Sequence, residues 1–108
     1  MYFNKFVAKL VKTMVKSEYQ QVIVSKLRKL REERGYSQQK VGSILGISNG
    51  QIGNIESLNR PHKYTLSQIR ALCKCYNIRI EQLFLEDADY ENSDIIKILI
   101  DKIIDYGE

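Results

Sequence analysis

Apolar residues recur at helical rather than alternating spacing along almost the whole chain, a pattern that predicts an all-α protein. Between residues 3 and 15, Phe3, Phe6, Val7, Leu10, Val11 and Met14 form one face, while Lys5, Lys9, Lys12 and Lys16 line the other. A polar patch at residues 17–21 separates this amphipathic helix from the next, read at residues 22–34, in which Ile23, Leu27 and Leu30 face one way. Gly35 follows, suited to the left-handed conformation that ends helices. Ser37 is placed to cap a helix at 38–45, and Gly46 to end it. Ser48-x-x-Gln51 and Thr65-x-x-Gln68 both have the capping-box form and open helices at 49–57 and 65–76. Between them lies a polar loop, residues 58–64, holding the only proline, Pro61; Asn77 is a left-handed cap for the later helix. A short helix near 80–85 presents Leu83 and Phe84 to the core. Residues 86–93 are acidic, lack a core pattern and read as a linker. An apolar helix returns at 94–106, with Ile95, Ile96, Leu99, Ile100, Ile103, Ile104 and Tyr106 covering about half its circumference. No strand run and no internal repeat is visible.

This divides the chain into an N-terminal basic amphipathic helix at 1–21, a central helical domain at 22–85, an acidic linker at 86–93 and a C-terminal apolar helix at 94–108. Its 108 residues suffice for one hydrophobic core. Apolar residues at 44% and charged residues at 28% place it among ordinary globular proteins rather than disordered ones. No stretch approaches the roughly 20 apolar residues that span a bilayer. Lysines interrupt the apolar N-terminus, which does not fit a secretory signal, and a cytoplasmic protein is expected. Cys73 and Cys75 stand two apart on one helix, about 200° around it, too divergent to bridge.

Charge changes the picture more. From residue 81 onward nine acidic groups face two lysines, a net charge of −7, whereas residues 1–80 carry 15 basic and four acidic groups, net +11. A body this basic attracts polyanions, with counterion release from phosphates supplying much of the affinity. Catalysis finds nothing to work with. His62 is the only histidine and sits in a loop; no glycine-rich phosphate loop, metal-ligand spacing or nucleophile–base pair is present. No enzyme, cofactor or metal is expected.

Two short helices joined by the tight turn Gly46-Ile47-Ser48 have the signature of a helix-turn-helix. In that motif the second helix enters the DNA major groove and its leading residues meet base edges. Here it begins Asn49, Gly50, Gln51, with Gly53 and Asn54 one turn on. Asn and Gln amides bond adenine bidentately, which gives such residues a specific task there.

The segment 27–84, LRKLREERGYSQQKVGSILGISNGQIGNIESLNRPHKYTLSQIRALCKCYNIRIEQLF, resembles the phage repressor and Cro-type, or XRE-like, helix-turn-helix family. The resemblance rests on LRKLREERGYSQ before the motif, Gly46-Ile47-Ser48 at the turn, Ile55-Glu56 closing the second helix, and the run from Leu66 onward. It implies a five-helix repressor-like domain, flanked here by additional N- and C-terminal amphipathic helices. Asn49, Gly50, Gln51 and Asn54 then fall at base-reading positions. Gln38, Ser48, Ser57, Arg60 and Lys63 fall at positions facing the DNA backbone, and Arg31 with Glu56 at those of a structural salt bridge. Three departures stand out: Gly50, where the family usually offers a contacting side chain, Gly53, a second glycine in the same helix, and Asn77, where the family favours Gly. Gly42 matches a position kept small so that the motif helices cross closely.

The resemblance implies a sequence-specific, double-stranded-DNA-binding transcriptional repressor. The alternative is an antitoxin-type protein that binds a partner protein and autoregulates through the same domain. The C-terminal helix is too apolar for water, so it either folds back or, the favoured expectation, pairs two copies into a homodimer through residues 94–106. The N-terminal helix is expected to pack on the domain rather than to join a dimer or lie on a membrane.

Overall fold

The computed structural model describes residues 15–107; the helix expected over residues 3–15 lies outside them save for its last position. Among the described residues are six α-helices, one 3-10 helix and no strand. They are α1 (Glu18–Glu33), α2 (Gln38–Leu45), α3 (Asn49–Glu56), α4 (Leu66–Tyr76), α5 (Ile80–Phe84), a 3-10 helix (Asp87–Glu91) and α6 (Ile95–Gly107).

Local chemistry sets most of the boundaries. α1 starts at Glu18, not at residue 22, because Ser17 and Gln20 form a capping box: Ser17 Oγ accepts from Gln20 N–H at 3.1 Å, and Gln20 Oε1 accepts from Ser17 N–H at 2.9 Å. The polar patch is thus the helix's first turn, its orphan amides satisfied by side chains. At the other end Gly35 is left-handed, and Tyr36 N–H reaches Arg31 O while Gly35 N–H reaches Glu32 O, the pairing of a Schellman cap. Asn77, at φ 56°, closes α4 the same way, with Ile78 N–H on Cys73 O.

The chain forms two compact units, one ending at Tyr64 and the other running Thr65–Glu108. In the first, α2 and α3 pack on one another and α1 on α3. Its buried apolar side chains are Ile23, Val24 and Leu27 of α1, Val41 of α2, Ile52 and Ile55 of α3, and Tyr64. Each such aliphatic side chain contributes about 1.5–3 kcal/mol by leaving water. In the second, α4 buries Ile69, Leu72, Cys73 and Tyr76, and Leu83, Phe84 and Leu85 follow from α5 and its end. Tyr106 of α6 meets Phe84 edge to face, ring centres 5.8 Å apart. The acidic stretch read as a linker carries the 3-10 helix, and its Asp89 accepts from Lys102 Nζ at 2.6 Å. Among the described residues no helix is long and apolar enough to cross a membrane.

Candidate nucleic-acid interface

The turn between α2 and α3 is built by two glycines with different tasks. Gly46 ends α2 in the left-handed conformation, φ 70°, and Ile47 N–H then folds back onto Gly42 O at 2.9 Å. This places the Ile47 carbonyl against Gly42, where an added Cβ would stand 2.7 Å from that oxygen. No side chain fits there without backbone movement. Gly42 is therefore what allows the turn to close this tightly.

Ser48 starts α3 with a reciprocal cap: its Oγ accepts from Gln51 N–H at 3.1 Å and Gln51 Oε1 accepts from Ser48 N–H at 2.8 Å. Ile52 and Ile55 point inward. The opposite face, at i, i+4 and i+7, consists of Gly50 and Asn54, both exposed, and half-buried Ser57, with exposed Asn49 and Gln51 on its borders. Gly50 faces open space: a Cβ there would come no nearer than 3.9 Å to Ser48 Oγ. At Gly53 a Cβ would meet Gln38 Oε1 at 3.7 Å, an ordinary contact. Nothing among the described residues requires either to be glycine.

Behind this face the Glu56 carboxylate, 3% exposed, is held by three donors. Arg31 Nε gives to Oε2 at 2.7 Å, while its second terminal nitrogen and Gln38 Nε2 give to Oε1 at 2.9 and 3.1 Å. Arg31 also donates to Tyr36 O at 2.7 Å. The hydrogen bond to Glu56 raises the Arg31 pKa, so the guanidinium stays charged throughout the accessible range. The Arg31–Glu56 ion pair thus joins α1 to the end of α3, with Arg28 Nε a looser second cation 4.0 Å from Oε1, and Gln38, the first residue of α2, joins the same carboxylate.

The loop after α3 is anchored by a residue that periodicity places elsewhere. Lys16 belongs by its spacing to a solvated lysine face, yet it is 2% exposed and Nζ donates to Ser57 O at 2.6 Å and Arg60 O at 2.7 Å. The carbonyls left over at the end of α3 need a donor, and a long flexible amine supplies one at the cost of burial, which pushes its pKa down. Sequence spacing carries no signal for this contact, since its partners lie 41 and 44 residues away. Beyond it, Arg60 and His62 are exposed and Lys63 is half-buried, with its pKa lowered by burial. Among the described residues no group of His, Cys, Asp or Glu could hold a metal ion.

Two short helices crossing at a glycine turn, the second capped, polar on its outer face and braced from behind, define a helix-turn-helix. A helix-turn-helix family model matches residues 27–83, more than half of the chain. The chain belongs to that family, in its XRE-type form, and is a DNA-binding transcription regulator. Neither curated proteins nor solved structures provide a match.

Proposed function

We propose that the chain is a sequence-specific repressor that binds double-stranded DNA as a homodimer in the cytoplasm, laying the leading end of α3 in the major groove. Asn49 and Asn54 read base edges through their amides, and Gly50 brings the helix backbone close to the groove floor. Gln51 contributes as a donor through Nε2, because its Oε1 serves the cap of α3. Ser48 Oγ accepts within that cap and has its hydroxyl proton to give to a phosphate. Ser57, at the trailing end of that face, together with Gln38, Arg60 and Lys63, tracks the sugar–phosphate backbone. The observation that carries this reading is the outward stripe of Gly50, Asn54 and Ser57 on a helix whose inner face is fully engaged.

Selection of bound fragments from random duplexes identifies the preferred site. Asn49→Ala and Asn54→Ala are then expected to lose about 1–3 kcal/mol on that site and to relax preference at one base pair each. Unchanged affinity and unchanged preference in both variants would overturn the assignment of these residues.

A further inference from the structure

Outside the family match, α6 exposes a stripe that a helix in water would not keep: Ile96, Ile100 and Ile104 are 68, 51 and 54% exposed. They stand at i, i+4 and i+8, on one line along the helix. One border of the stripe is charged, with Lys97, Asp101 and Asp105 all exposed and Lys97 Nζ 3.9 Å from Asp101. The other border, Leu99 and Ile103, is apolar and half-buried.

We infer that α6 pairs antiparallel with α6 of a second copy, centred on Ile100. This rests on the proposed homodimer and names its surface. The charges decide both the occupant and the direction. A two-fold axis across antiparallel helices sets each border against its own counterpart. At 1.5 Å rise and about 100° per residue, Lys97 then flanks the seam opposite Asp101 of the copy, about 3 Å from it along the axis, while Asp105 adds negative charge farther round the same border. The border is self-complementary, and Ile96 covers Ile104 of the copy. A parallel pair sets the charged border against Leu99 and Ile103, leaving those charges without a counterpart on the copy and an apolar edge against them. The exposed ion pairs add little affinity but select the direction, while burial of the isoleucines supplies the attraction.

Sedimentation of the 108-residue chain at micromolar concentration is expected to give twice the chain mass. Ile100→Glu, at a position already half exposed, halves that mass without changing the far-UV helix signal. Direction is read by charge exchange. Lys97→Asp makes the border wholly acidic, and the double variant Asp101→Lys, Asp105→Lys makes it wholly basic. Each is expected to be monomeric alone, and the two to associate one to one when mixed. A native chain of single mass, an Ile100→Glu chain that stays dimeric, or charge variants that ignore one another would each overturn the pairing. DNA binding by the same samples separates the two proposals. Ile100→Glu is expected to keep single half-site binding and to lose roughly 10²-fold on a paired site. A native chain that pairs but binds no DNA overturns the repressor reading and leaves the pairing standing.

Discussion

Glycine carries three different meanings within twelve residues of this chain, and their letters alone do not separate them. Gly42 is compelled by the Ile47 carbonyl, Gly46 by a left-handed backbone, and Gly50 by nothing among the described residues. Gly42→Ala is therefore expected to destabilise the protein by about 1–3 kcal/mol, the cost of forcing a methyl group into filled space. Gly50→Ala should do the opposite, adding about 1 kcal/mol through helix propensity while weakening specific DNA binding. Urea unfolding and a binding titration on the same preparations test both statements. A Gly50→Ala variant that is more stable and binds DNA equally well would deny Gly50 any role at the groove. Spacing marks Gly46 as a turn residue, and the family resemblance marks Gly42 as a small one, but how little room Gly42 has depends on where the Ile47 oxygen lands after the turn. That is a contact, not a pattern.

At the scale of elements, helices are legible because capping and periodicity agree. Ser37, Ser48 and Thr65 each precede a helix and accept from its third amide, and the inward residues follow at three- and four-residue steps. The first turn of α1 is polar, so apolar periodicity does not register it, although Ser17-x-x-Gln20 has the same capping form as the boxes that open α3 and α4. What joins the elements is less visible. Arg31 and Glu56 are 25 residues apart and form a largely buried, doubly bonded pair. Arg31→Met is expected to cost about 3 kcal/mol, because it leaves the buried Glu56 carboxylate with Gln38 as its remaining hydrogen-bond donor and with exposed Arg28, 4.0 Å away, as its remaining cation. Replacing both residues with Met should recover most of that loss, since no unpaired charge then remains. A double-mutant cycle from urea unfolding measures the difference; a double-variant loss equal to the sum of the two single losses would show that Arg31 and Glu56 do not act as a pair in joining α1 to α3.

For the molecule as a whole, the division of charge is the dominant property: +11 over residues 1–80 against −7 over the remainder. Residues 38–63, which carry every proposed DNA contact, lie wholly in the basic part. Specific affinity is therefore expected to fall steeply with salt, linearly in a double-logarithmic plot. Arg60, exposed beyond α3, should account for about one neutralised phosphate. Arg60→Ala is expected to weaken all sequences alike and to make the slope shallower by about 1. A slope identical to that of the parent chain would remove Arg60 from the phosphate contacts.

Helical class, most helix ends, the glycine turn and the polar leading residues of α3 follow from the order of residues, because capping, left-handed termination and amphipathic spacing act over a few positions. Distance along the chain marks where this legibility stops. Folding alone decided that Lys16 would leave the lysine stripe to hold the Ser57 and Arg60 carbonyls, and that Ile96, Ile100 and Ile104 would stay uncovered while Tyr106 of the same helix was buried. Those outcomes depend on which groups meet across tens of residues, and on how much of an apolar face its neighbours have room to cover.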